Sequence, residues 1–204
     1  MLPDKIALAQ AVCTRLCHDL GGAVGALANA LDLMDGAPGD AMDVARDASA
    51  IMDRRIRFYR AAVGAGCGDC RVEELAQAAE GLTLGRRAII DFNDLEATIV
   101  LPAHVAQAVL LALWTAIEGL PRGGAVRVGG DLEGGISIWP DGPSAAWPPL
   151  LAAGLAGEAM QFTPRNVSIP LLVSVAANSG IRLELLHGRT GVAAPLLMTA
   201  ITRN

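Results

Sequence analysis

Between residues 3 and 34, apolar side chains return every three or four positions: Ile6, Ala9, Cys13, Leu16, Leu20, Val24, Leu27, Leu31 and Met34. That spacing lays one stripe along a single long helix. Pro3 suits its first turn, and Gly36-Ala37-Pro38-Gly39 stops the helix and reverses the chain. Asp40 is a good N-cap for a second helix running to about Val63, with Val44, Ala48, Ile51, Phe58 and Ala62 inward. Its aspartates (Asp40, Asp43, Asp47) come early and its arginines (Arg54, Arg55, Arg57, Arg60) late, as the helix dipole favours. A lone hairpin cannot cover both apolar stripes. Two hairpins joined as a four-helix bundle can, so a homodimer is expected; the alternative is a hairpin docked on the rest of its own chain.

Gly64 to Gly68 reads as a linker, dividing a hairpin unit (1–64) from a second unit (69–204). The second unit opens with a helix over Val72–Glu80 and β-type runs at Arg87–Phe92 and Ala97–Leu101. A long apolar helix spans Pro102–Gly119, and strands follow at Ala125–Gly129 and Ile136–Trp139. Another helix over Arg165–Ser179 precedes strands at Arg182–Leu186 and Val192–Ala200. Helices interleaved with hairpins predict an α+β sandwich, with helices on one face of a mixed sheet.

With 52% apolar but only 3% aromatic residues, the core must be built largely from small side chains. A net charge of −5 argues against a nucleic-acid binder. The N-terminus has no signal-peptide pattern, and the longest apolar stretch (Val105–Ile117) is too short for a bilayer span, so a soluble cytoplasmic protein is expected. Cys67-Gly-Asp-Cys70 has the spacing of a redox pair or half a zinc site, and Cys13 and Cys17 lie one helical turn apart. The blander reading is preferred: Cys13 is a small hydrophobe on an apolar seam, and no metal or cofactor is expected.

His18 is the residue that stands out. It lies two positions from Leu16 and two from Leu20, and each such step turns about 200° around a helix. It therefore points away from the stripe, onto a face shared with Thr14, Gly21, Gly22 and Gly25. Each interior glycine costs about 1 kcal/mol against alanine. The functional reading is a face cleared so that another protein approaches the imidazole closely enough for in-line phosphoryl transfer. Neutral imidazole is a good nucleophile near pH 7. Asp19 would orient the ring or accept its proton, and Arg15 would offset phosphate charge or meet an acidic partner. The competing reading is a plain surface histidine, with glycines serving tight helix packing. His104 and His187 read as structural or solvated.

The run Arg15-Leu-Cys-His18-Asp19-Leu20, followed by Gly22, Gly25-Ala26, Asn29 and Leu31-Asp32-Leu33, resembles the ChpT-type histidine phosphotransferases of alphaproteobacteria. More distantly it is similar to the H-box of sensor histidine kinases. The later half resembles a kinase ATP-binding domain through Ala116-Ile-Glu118, Pro121-Arg-Gly-Gly124 and Val126-Arg-Val128. The resemblance implies a dimeric hairpin bundle bearing a kinase-like α/β sandwich. It implies that His18 takes phosphate from a receiver-domain aspartate, typically of a hybrid sensor kinase, and gives it to an aspartate on another response regulator. Magnesium would come with the partner's receiver domain. Where a kinase carries two N-box asparagines, this chain has Leu111 and Thr115; the adenine-recognising aspartate falls near Pro140, and the phosphate loop is replaced by Arg165-Asn-Val-Ser-Ile-Pro170. Those departures favour an ATP-independent relay, with the α/β half kept as partner-binding scaffold. A catalytically silent adaptor for receivers or kinases is the alternative, and a true ATP-dependent kinase the third reading.

Overall fold

A computed structural model describes residues 4–34, 38–64, 66, 68–188 and 192–200. The chain opens with two helices, α1 (Lys5–Asp32) and α2 (Pro38–Ala62), packed as a hairpin. Asp4 caps α1 by accepting a hydrogen bond from the Ile6 amide at 2.9 Å. The expected roles of Pro3 and Gly36-Ala37 lie outside the described residues, as does Cys67.

Then follow β1 (Cys70–Arg71), α3 (Val72–Thr83), β2 (Ala88–Leu95), β3 (Val100–Leu101), α4 (Ala103–Glu118), β4 (Gly124–Asp131) and β5 (Gly135–Asp141). Helix α5 (Pro149–Leu155), a 3₁₀ turn (Pro164–Asn166), α6 (Ser168–Asn178), β6 (Ile181–Leu185) and β7 (Leu196–Ala200) complete the chain. Five strands form a mixed sheet in the order β2-β4-β5-β7-β6, in which only β2 and β4 run parallel. β1 and β3 pair separately.

The sheet alternates in burial as a one-sided sheet should. Val126, Val128, Ile136, Ile138, Leu196 and Met198 face the helices, while Arg127 on the outer face bridges Asp91 and Asp141. Between sheet and hairpin lies α4, buried from Val109 through Ile117. One hydrophobic core joins both halves of the chain: Ala11 and Val12 of α1 and Phe58, Tyr59, Ala61 and Ala62 of α2 belong to the cluster that includes Leu75, Trp114 and Ile138.

Several element ends differ from the sequence reading, each for a local reason. The run 97–101 contributes only Val100–Leu101, because the Ile99 amide turns back to the Glu96 carbonyl. The last strand starts at Leu196: Pro195 has no amide to donate, and the Trp147 indole takes the Ala194 carbonyl at 2.6 Å. Helix α6 starts at Ser168 after the 3₁₀ turn capped by Thr163. α5 was missed, although Pro148-Pro149 marks its start.

The apolar stripe of α1 is not buried within its own chain as expected. Leu16, Leu20, Leu27 and Met34 are half-buried, whereas Ile6, Ala9, Cys13, Val24 and Leu31 are exposed. The helix rests on the α/β half through a rotated line that includes Leu8, Ala11, Val12 and Arg15. The second helix likewise leaves Met42, Val44 and Ile56 in solvent.

Candidate functional site

His18 stands midway along α1 with its side chain 84% exposed. Helical geometry that turns Leu16 and Leu20 inward turns this ring outward. Thr14 is exposed one turn earlier, its hydroxyl donating to the Gln10 carbonyl at 2.9 Å. Gly21, Gly22 and Gly25 are also exposed, and a Cβ built on any of them would meet no atom within 4 Å. These glycines therefore serve no tight packing within this chain. They leave the surface C-terminal to His18 flat and bare.

Asp19 organises the base of the site. One carboxylate oxygen, Oδ1, lies 3.0 Å from His18 Nδ1. The other, Oδ2, accepts a hydrogen bond from Arg15 Nε at 2.8 Å and another from the Tyr59 hydroxyl of α2. The Asp19 backbone carbonyl accepts from the Arg55 guanidinium. Half-burial works against the charge of Asp19, but the donors Tyr59, Arg15 and His18 outweigh it and hold the carboxyl below its ordinary range. Burial, with Asp19 as its acceptor, pushes the Tyr59 hydroxyl well above the usual tyrosine value. Because an ionised carboxylate only accepts, His18 Nδ1 is the donor of the shared hydrogen bond, and Nε2 takes no part in it.

Arg15 is not at the surface. Only 12% of its side chain is exposed, and it reaches from α1 into the α/β half. Its Nη1 donates to Glu118 Oε1 at 3.3 Å and to the carbonyls of Pro164 (3.4 Å) and Arg165 (3.0 Å), and its guanidinium lies 5.4 Å from the centre of the Trp114 ring. Burial raises the Glu118 carboxyl above its usual range, against the opposing pull of Ser168, whose hydroxyl donates at 2.8 Å, and of Arg15. Tyr59, Phe58 and Trp114 meet edge to face at 5.2 to 5.7 Å beneath the site.

The structure thus brings His18, Asp19 and Arg15 into one hydrogen-bonded line and sets Thr14, Gly21, Gly22 and Gly25 around the ring. Sequence reasoning missed Tyr59, Arg55, Glu118, Trp114 and Ser168. Tyr59 is the single tyrosine of the chain, and a lone phenol on an arginine-rich helix was the available signal. The positions standing for the kinase asparagines are core residues here: Leu111 and Thr115 are wholly buried, and the Thr115 hydroxyl bonds back to the Leu111 carbonyl at 2.9 Å. Asp141 is paired with Arg127 on the outer face of the sheet. His104 and His187 are exposed. Cys70 is buried in β1 and Cys13 and Cys17 are exposed on α1; among the described residues no cluster of side chains could hold a metal ion.

Residues 72–191 match the family described as histidine phosphotransferase C-terminal domain. Protein phosphotransferase ChpT of Brucella abortus (strain 2308) is 30% identical over 191 residues, spanning 89% of this chain and 91% of that protein. A solved bacterial phosphotransferase superposes with a TM-score of 0.76, covering 97% of both chains at 22% identity, so the two share a fold. With the family match over more than half the chain and a ChpT relative along nearly all of it, the protein belongs to the ChpT-type histidine phosphotransferases.

Proposed function

We propose that the protein is a relay: His18 takes a phosphoryl group from an aspartyl phosphate on one receiver domain and hands it to an aspartate on another, without ATP. The observation that carries this is an imidazole 84% exposed to solvent, with Nδ1 3.0 Å from the Asp19 carboxylate, beside a surface cleared by three glycines. In the first step Nε2 attacks phosphorus in line, the N–P bond forms, and the P–O bond to the donor aspartate breaks with its electron pair leaving as carboxylate. The proton stays on Nδ1, hydrogen-bonded to Asp19, whose negative charge offsets the positive charge of the phosphorylated ring. Transfer to the acceptor aspartate reverses the step. Arg15 and Tyr59 assist by fixing Asp19 rather than by touching phosphate.

The hairpin would carry phosphotransfer and dimerisation, and the α/β half would supply partner-binding surface. A second copy of the hairpin covering Ile6, Val24, Leu31, Val44 and Ile56 would complete a four-helix bundle. The donor would be the receiver of a hybrid sensor kinase, and the acceptors response regulators, each bringing its own magnesium. The relay would work in the cytoplasm; no helix among the described residues is long and apolar enough to cross a membrane.

A chase tests the two-step path. The protein, labelled with ³²P by a phosphorylated receiver and freed of nucleotide, is mixed with a second unphosphorylated receiver. Label that moves to the second receiver supports the relay. Label that stays on the protein, or is released only as inorganic phosphate across a panel of receivers, contradicts it.

A further inference from the structure

Arg15 and Asp19 stand one turn apart on α1, a spacing at which an ion pair on an isolated helix adds little and leaves both side chains free to swing. Here the pair is held from outside the helix. Arg15 Nη1 donates to Glu118 Oε1 at 3.3 Å and to the Pro164 and Arg165 carbonyls at 3.4 and 3.0 Å, all in the α/β half. The guanidinium is a rigid plane, so acceptors that fix one edge of it also fix where the rest points. Its Nε is left to donate to Asp19 Oδ2, at 2.8 Å.

Glu118 is the acidic member of that anchor, and it sits where a carboxylate is costly. It is the last residue of α4, with only 13% of its side chain exposed. Its second oxygen accepts from the Ser168 hydroxyl at 2.8 Å, and Ser168, the first residue of α6, is wholly buried. Trp114, one turn earlier on α4, lies 5.4 Å from the same guanidinium, so two side chains of one helix hold Arg15. Ser168, Arg15 and Arg86 all favour the charged form of Glu118, yet burial outweighs them and raises its carboxyl. A side chain kept for packing alone would be apolar, because such partners return less than a carboxylate loses on leaving water. Holding a guanidinium is what an apolar group could not do.

Building on the relay reading above, we infer that Glu118 is a positioning residue for phosphotransfer: it anchors Arg15, which orients Asp19, which holds the His18 imidazole at Nδ1. Contacts of 2.8, 3.3, 2.8 and 3.0 Å run from Ser168 to Glu118, Arg15, Asp19 and His18 in turn. The kinase-like half thus serves the reacting ring itself, through a line of hydrogen bonds that ends on it. In-line attack is sensitive to such support, since a misplacement of about 1 Å can cost about 10²-fold in rate. The effect of Glu118 on the ring passes through Arg15, so it bears on the chemical step and not on the docking of a partner.

The test compares Glu118→Gln, Arg15→Gln and the double variant. Each is labelled by a phosphorylated receiver over a range of concentrations, and separately by phosphoramidate, which reaches His18 without docking. Glutamine keeps the shape of Glu118 and an acceptor for Ser168 but drops the charge that holds Arg15. The inference expects Glu118→Gln to lower kcat about three- to tenfold with KM unchanged, and to slow phosphoramidate labelling by the same factor. Arg15→Gln should lower kcat at least as far. The double variant should match Arg15→Gln alone, because Glu118 has no route to the ring once Arg15 is gone. Ser168→Ala, which removes one donor and leaves the carboxylate in place, should give a smaller loss of the same kind, and it carries the test if Glu118→Gln does not fold. Wild-type kcat in Glu118→Gln, or in Ser168→Ala where that variant carries the test, overturns the inference. So does a rise in KM alone, or a double variant whose loss is the product of the two single losses. Failure of every receiver to label even the wild type would instead count against the relay itself, and the phosphoramidate rates would still decide whether Glu118 positions the ring.

Discussion

Asp19 accepts from Arg15 and Tyr59 on one oxygen and faces His18 with the other, so each neighbour can be removed separately. Tyr59→Phe keeps the ring packed against Trp114 and deletes one donor. Transfer at saturating receiver should slow several-fold with KM little changed, because the site still docks but holds its imidazole less firmly. Stopped assays of kcat and KM check the split; a rise in KM alone would place Tyr59 in docking. Asp19→Asn should slow transfer far more, about 10²-fold or beyond, by weakening the hold on Nδ1–H and the compensation of charge on the phosphorylated ring. It should also cost about 1–3 kcal/mol of stability at pH 7, since Arg15 loses its carboxylate in a half-buried setting. The sign with pH follows from the lowered carboxyl of the folded state. Stability from Asp19 is present above the unfolded carboxylate range and is lost as pH falls through the lower folded value. Acid melts should show that loss in the wild type and lack it in Asp19→Asn.

At the scale of the helix, α1 carries a local cost that packing does not explain. Gly21, Gly22 and Gly25 are helical, exposed and without neighbours at Cβ. Replacing Gly21 or Gly25 by alanine should therefore stabilise the protein by about 0.5–1 kcal/mol, read as a raised midpoint in urea. Gly22→Leu should fold as well as the wild type yet lose transfer from receivers while keeping phosphoramidate labelling, since bulk there obstructs approach and not chemistry. Equal loss in both assays would mean the substitution damages the histidine site itself. The outward direction of His18 was legible because it lies off the apolar stripe, even though the face that α1 buries is rotated from that stripe. The inward direction of Arg15 was not: its partners Glu118, Pro164 and Arg165 lie more than a hundred residues away, and no local pattern announces them.

Across the whole molecule, the α+β class and the order of most elements were readable from apolar period and turn residues. Short elements escaped, since α5 and the two-residue strand β1 depend on contacts made elsewhere. The expected stripe on α1 marks a surface that the protomer leaves partly bare, as Ile6, Val24 and Leu31 show. A dimer through that face predicts twice the protomer mass by sedimentation equilibrium, and Val24→Glu with Leu31→Glu should yield monomers. A monomeric wild type at micromolar concentration would reject the bundle. The central claim is tested most directly by mixing a prephosphorylated receiver domain with the wild type and with His18→Ala, without ATP. The account predicts an acid-labile, base-stable label on the wild type and none on the variant. Equal labelling of both, or of neither across a panel of donors, would contradict it.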